Sequence, residues 1–361
     1  MGSLRPDWNI GVSLWGQGDL KKQLWVRDHF KNIRKTIAHI SDQPSTIQDK
    51  NVTHYYHAAL AWTKRIRKGN LAGIIDANME NMTIYISEFG KPDLISVQAC
   101  YPGAFIGQHL SEHFGVPYHV HVRLGGFMFE HLLNDLGGSS QGLIHAVNMA
   151  SAITTTSNFQ KKELSSHFEN VEVLHNPVNI PDDLKIENGK HALAIGRLEP
   201  EKGFDRLLEA VSRVSETKLQ IIGLGSQLDK LQKLMRRLAI DDRVTFLGAK
   251  SRNETNELLS KCGYLVLPSR YETFGNVILE ALAIGKPVLA TRCGGPEEIV
   301  VSETGLLCDN STEGLEHGLH EMNSHFMEFE SSKIAAHVVE HFSPEKWILQ
   351  VEEVFKNALR K

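Results

Sequence analysis

Short apolar runs that end in glycine or polar residues alternate with helix-length amphipathic stretches along most of this 361-residue chain. That rhythm restricts it to strands joined by crossover helices, and so to parallel α/β sheets. In the first half the strand-like runs fall at 10–15, 94–98, 118–122 and 152–156, with helical stretches at 103–114 and 158–168. The rhythm breaks at Leu174-His175-Asn176-Pro177, where proline forces an extended backbone and 180–183 continue as a polar loop. It then restarts, with runs at 191–195, 218–222, 243–246, 264–267 and 287–290, five strands that read as a complete second sheet. A chain of this length exceeds one hydrophobic core. The expected division is therefore 1–175, 176–340 and a final helix, 341–361, that returns to the first domain.

Charge and cysteine usage exclude several classes. A net charge of -4 with 23% charged residues gives no cationic excess for nucleic acid. Cys100, Cys262, Cys293 and Cys308 lack zinc-site spacing and are too few for a disulfide framework, which fits a reducing, cytoplasmic setting. No apolar run is long enough to span a membrane, and the N-terminus lacks the basic-then-apolar order of a signal peptide. Two basic stretches admit two readings, Lys21 to Lys35 with Trp25 and Phe30, and Lys64 to Lys68 beside Trp62. One is a solvated helix face over a core, the plainer choice; the other is peripheral docking on an anionic membrane.

The strongest chemical signal runs from Ser269 to Ala281, after the strand-like Leu265-Val266-Leu267-Pro268. Glu272 falls in the loop before a helix that starts near Gly275, and Glu280 lies between one and two turns inside it. A helix beginning after a parallel strand points free N–H groups and its positive dipole end at a phosphate. Carboxylates at such a place accept hydrogen bonds from sugar or ribose hydroxyls. Two solvated acids on an ordinary loop and helix are the competing reading.

A second signal is Gly196-Arg197-Leu198-Glu199-Pro200-Glu201-Lys202-Gly203, which places two cations after the strand at 191–195. Arginine forks across phosphate oxygens and lysine adds a point charge, so the pair suits a departing diphosphate. Surface pairing with Glu199, Glu201 or Asp205 is the alternative. Gly223 and Gly225 begin a dinucleotide fingerprint whose third glycine is missing, which reads as a tight turn. In the first half, the run at 119–122 ends in Arg123, Gly125 and Gly126, a cationic glycine-rich turn. His119 and His121 share one strand face there and read as packed or hydrogen-bonded rather than as metal ligands. No Asp-x-Asp motif occurs, so a metal bridging a diphosphate is not signalled.

The Glu272 and Glu280 string, Gly294-Gly295-Pro296-Glu297-Glu298-Ile299, Gly196-Arg197-Leu198 and Lys202-Gly203 together resemble glycosyltransferase family 4, a retaining GT-B family. The likeness is specific over 176–310, general over 92–175 and poor before Lys91. It implies an α/β fold of two Rossmann-like domains facing a cleft. By the same resemblance Glu272 meets donor-sugar hydroxyls, Glu280 the ribose, and Arg197 and Lys202 the diphosphate. The backbone amides of Phe274, Gly275, Asn276 and Val277 would hold the sugar and distal phosphate, with the base near Lys250. Arg123, Gly125 and Gly126 would lie beside the donor sugar. The implied reaction is retaining hexosyl transfer from a nucleotide diphosphate-sugar, UDP-linked on family frequency, to a carbohydrate or lipid-linked acceptor. No metal or further cofactor is implied. A silent sugar-nucleotide-binding scaffold is the rival from another class. The opening strand at 10–14 is either the family's first, with Gly16-Gln17-Gly18 as its loop, or its second, with the first unit missing; the second reading is the favoured one.

Overall fold

The computed structural model describes residues 2–15, 44–59, 70–179, 187 and 189–360. Both basic stretches, the 16–18 loop and the 180–183 loop lie outside the described residues. Two compact units emerge, Met1–Thr155 with Lys161–Leu174 and Ile348–Lys361, and Thr156–Gln160 with His175–Trp347. Among the described residues no helix is long and apolar enough to cross a membrane.

Among the described residues, the first unit holds two sheets. β1 (Ile10–Leu14), β2 (Ser45–Asp49) and β3 (Val52–Tyr56) lie in the order β1-β3-β2, with β1 parallel and β2 antiparallel to β3. The 10–15 run thus pairs with a hairpin strand and with none of the other strands expected in its half. The sequence does not announce that hairpin, because Ser45–Asp49 is exposed at every residue and carries no apolar alternation. α1 (Leu71–Phe89) anchors to β1 through Asn81, which donates to Ser13 Oγ (3.0 Å) and the Leu14 carbonyl (3.2 Å).

The other sheet is parallel throughout, with β4 (Ile95–Val97), β5 (Tyr118–Val122), β6 (Ala152–Thr155) and β7 (Val171–Val173) in chain order. Every residue of β5 is buried, as a central parallel strand covered on both faces requires. Val120 and Val122 join Phe129 and Leu143 in one core, contributed by α2 (Gly103–Phe114), α3 (Gly126–Leu136) and α4 (Ser140–Asn148) around the sheet. α5 (Asn158–Leu164) follows β6 and stops four residues short of the expected 158–168 helix.

Six parallel strands organise the second unit: β8 (Ala192–Ile195), β9 (Leu219–Ile222), β10 (Val244–Gly248), β11 (Tyr264–Leu267), β12 (Val288–Thr291) and β13 (Gly305–Cys308). Their order is β10-β9-β8-β11-β12-β13. The five expected strands are present and β13 is added at the edge, where only Gly305 of its four residues is buried. So short and half-exposed a run gives no strand signal.

Period-two alternation splits these strands between two cores. Leu193, Leu265, Leu267, Val288 and Ala290 face one side, covered by α9 (Asn276–Ala283) and α11 (Ser331–Phe342). Ala192, Ala194, Tyr264, Val266 and Leu289 face the other, against α6 (Phe204–Arg213) and α10 (Thr312–His325). α7 (Leu228–Arg237) and α8 (Arg252–Lys261) complete the unit. Each fully buried aliphatic side chain contributes roughly 1.5–3 kcal/mol, so this sheet is a rigid base for its loops.

The last helix, α12 (Pro344–Ala358), starts with proline in its first turn, and Ser343 Oγ accepts from the Lys346 amide at 3.3 Å. Within the first unit its C-terminal residues Val354 and Ala358 pack against Ala152, while Phe355 stacks on Trp8 at 6.0 Å.

Candidate functional site

β8 and β11 are neighbours, yet β9 and β10 continue on one side and β12 and β13 on the other. The chain order reverses between them, and at such a switch point the loops leaving the carboxyl ends part and leave room for a ligand. The loops leaving there are the two that carry the sequence motifs.

Loop 196–203 ends in a 3-10 turn, Pro200–Lys202, closed by Gly203 at φ 65. A Cβ on Gly203 would lie 2.1 Å from the Pro268 carbonyl oxygen, so only glycine lets α6 begin against the β11 loop. Arg270 clamps the same junction, forking onto Asp205 (2.7 Å and 2.7 Å) and donating to the Pro200 carbonyl at 2.9 Å. Glu199 accepts from the Ser226 amide (2.9 Å) and hydroxyl (2.6 Å). Two of the three acids weighed as partners for the cations are therefore engaged elsewhere. The third, Glu201, does pair with Arg197 at 2.7 Å, on a side chain that is 68% exposed. A pair so solvated is worth about 0–1 kcal/mol and yields readily to a stronger anion.

Lys202 behaves differently. Its Nζ donates to Glu272 Oε2 at 2.5 Å, with the two side chains only 18% and 14% exposed. The fold thus joins the two motifs through one half-buried ion pair.

Gly275 takes φ 99, and α9 starts from it with no side-chain cap. Among the described residues no side chain accepts from its first-turn N–H groups, and the Ile278 amide donates to the Gly275 carbonyl at 2.8 Å. Phe274 is buried beneath His175, stacked at 5.3 Å, and against Phe342, so it can serve a ligand only through its backbone. Asn276 Oδ1 accepts from Asn176 Nδ2 at 2.9 Å, and Val277 packs into the core. Glu280 is half-buried, and its carboxylate makes no hydrogen bond to a described side chain. Burial raises its pKa above the ordinary carboxylate value, opposed in part by Arg252.

The glycine-rich string after β12 buttresses this loop. The Glu272 amide donates to the Cys293 carbonyl (3.1 Å), and the Gly295 amide to the Glu272 carbonyl (2.8 Å). Glu297 accepts from the amides of Cys293 (3.2 Å) and Gly294 (3.0 Å). Glu298 accepts from the amides of Asn158 (2.9 Å) and Phe159 (2.8 Å). Burial opposes ionisation of Glu298, yet these donors and the His175 ring outweigh it and hold the carboxyl down to about 2. A Cβ on Gly295 would sit 2.2 Å from Phe274 Cα. The motif was legible, but these backbone-fixing roles were not, because they depend on which main-chain atoms come opposite.

Gly223 and Gly225 serve close approach of two loops rather than a turn alone. Added Cβ atoms would lie 1.9 Å from the Gly196 carbonyl oxygen and 2.4 Å from that of Leu198. Lys250 follows the end of β10, two strands from β8, with Nζ 3.6 Å from Glu254. No contact among the described residues joins it to Lys202 and Glu272.

In the first unit, Arg123 Nη2 donates to Gln98 Oε1 (3.2 Å) at the carboxyl end of β5. Gly125 caps α3 without a side-chain bond, and the Gly126 amide donates to Glu163 at 3.1 Å. His119 Nε2 and His121 Nδ1 both meet Thr154 Oγ1 at 2.7 Å, and His119 Nδ1 meets Ser96 Oγ at 3.0 Å. Burial lowers His119 to about 4 and, with help from Arg123, His121 to about 3.

Both rings are neutral when folded, while the unfolded chain takes up protons below its ordinary pKa near 6.5. Unfolding free energy therefore falls as pH drops from about 6.5 towards 4. Thermal melts are expected to show this loss, and His121→Asn to flatten it. An unchanged slope in that variant would show that His121 is not the group responsible.

Residues 178–323 match the Glycosyl transferases group 1 family. The second half of the chain therefore carries a segment of the group 1 glycosyltransferase type. It is 27% identical to an uncharacterized glycosyltransferase of Methanocaldococcus jannaschii, over 91% of this chain and 93% of that protein. A D-inositol 3-phosphate glycosyltransferase of Mycobacteroides abscessus is 39% identical, but over 31% of this chain and 27% of its own length. Among solved structures, sucrose-phosphate synthase from Thermosynechococcus elongatus superposes with a TM-score of 0.71 at 18% identity, covering 98% of this chain and 96% of that one. Anabaena HepE, solved in complex with UDP, gives 0.67 at 21% identity over 83% and 86%. At those identities the likeness speaks to the fold, which is the two-domain α/β architecture of the GT-B glycosyltransferases.

Proposed function

We propose that this glycosyltransferase moves a hexosyl group from a UDP-sugar to a hydroxyl of a carbohydrate or lipid-linked acceptor, with retention and without a metal. The observation that carries the reading is the meeting of Lys202, Glu272 and the uncapped start of α9 at the β8/β11 switch point. The HepE complex with UDP supports the choice of base.

In this reading Lys202, Arg197 and the first amides of α9 stabilise the charge that builds on the diphosphate as the glycosyl bond breaks. The departing phosphate oxygen takes the acceptor's proton on the same face, so no protein nucleophile is needed. Glu272 holds donor-sugar hydroxyls and Glu280 the ribose, with Lys250 towards the base.

The test is a thermal-shift screen of UDP-, GDP-, ADP- and dTDP-sugars in EDTA. A ligand at 100 times its Kd stabilises the native state by about 2.7 kcal/mol, so the UDP-sugar series should raise Tm by several degrees. A shift from another base alone would remove UDP, and a flat screen would remove the donor site.

A further inference from the structure

We propose that Glu272 is a gate against the nucleoside diphosphate product, making the site prefer the intact donor. The inference rests on the donor reading above and extends it to how the site tells substrate from product. Lys202 is the half-buried cation at the switch point, and in this structure its charge is already taken by Glu272 at 2.5 Å. The Glu272 main chain cannot back away, because its amide and carbonyl are both bonded to the Cys293–Gly295 segment. Gly203, pressed against Pro268, holds the Lys202 end just as firmly. Only side-chain rotation can separate the pair.

A diphosphate reaching Lys202 must therefore displace or share with a carboxylate, and must sit beside that second negative charge. The pair's low exposure makes this cost larger than at the exposed Arg197–Glu201 pair. An intact donor offsets the cost, since its sugar hydroxyls donate to the released Glu272 oxygens. A nucleoside diphosphate has no sugar there and bears the whole of it. The consequence is faster product release and weak product inhibition relative to donor binding.

The experiment measures binding of UDP and of inorganic pyrophosphate by calorimetry, with UDP product inhibition, in wild type, Glu272→Gln, Lys202→Met and the double variant. Glutamine keeps the shape and the main-chain bonds while removing the charge. UDP and pyrophosphate should bind Glu272→Gln about three- to tenfold more tightly, and the UDP inhibition constant should fall in step. The apparent affinity for a UDP-sugar should not improve, so the ratio of donor to product affinity drops. In the Lys202→Met background the gain from Glu272→Gln should shrink, since no lysine is left to release. Unchanged or weaker UDP binding in Glu272→Gln, with Lys202→Met still weakening it, would overturn the gate and leave the donor reading standing. Lys202→Met binding both probes as well as wild type would instead overturn the donor reading itself, and melting curves of all four proteins verify folding.

Discussion

Lys202→Ala is expected to lower kcat/KM by on the order of 10²-fold or more, because on the proposed reading it removes charge compensation where the diphosphate departs. The loss should exceed that of Arg197→Ala, since Lys202 lies half-buried while Arg197 is 68% exposed and can be partly replaced by water and counterions. Lys202→Ala also strands Glu272, turning a favourable partner into a bare negative charge beside the phosphates. Both variants should weaken UDP as well as turnover, and both should remain folded, because neither side chain belongs to the two cores of the second unit. Steady-state kinetics, UDP titration and thermal melts check the three parts. Unchanged UDP affinity together with unchanged turnover would reduce these cations to surface partners.

Glu280→Gln and Glu272→Gln should fail in different ways. If Glu280 binds ribose, its replacement weakens UDP and the UDP-sugar by similar factors, because both carry the same ribose. The half-buried Glu280 carboxylate is available for this, with no ion pair or side-chain hydrogen bond among the described residues. Its raised pKa adds a pH signature: the ionised acceptor is lost on acidification at a higher pH than for an exposed glutamate. UDP binding should weaken correspondingly as pH falls, and Glu280→Gln should remove that dependence. Glu272→Gln should not weaken UDP, yet should lower kcat as well as kcat/KM, by on the order of tenfold or more, where the sugar contact tightens in the transition state. Titration of UDP and donor followed by steady-state kinetics separates them. Equal weakening of UDP by both substitutions, with transfer otherwise intact, would remove Glu272 from the sugar.

Periodicity alone carried the architecture of the second unit, since strands buried on both faces must be short, apolar and followed by helices. It failed where burial fails: β2 is exposed throughout and β13 mostly so, and neither leaves a hydrophobic trace. The candidate residues stood out by type and place: Arg197 and Lys202 adjoin glycines of the loop after β8, and Glu272 and Glu280 lie on either side of the helix start at Gly275. Which of them touch was not legible. Arg197 and Lys202 are five residues apart and had the same candidate partners nearby, yet Lys202 takes Glu272, seventy positions away, while Arg197 takes Glu201. That choice depends on β8 and β11 being neighbours, on Gly203 fitting beneath Pro268, and on the β12 loop holding the Glu272 backbone. A local pattern records what each segment buries. Only the packed sheet decides which carboxylate a cation meets, because that distance is set by strand order and loop contact across the sheet.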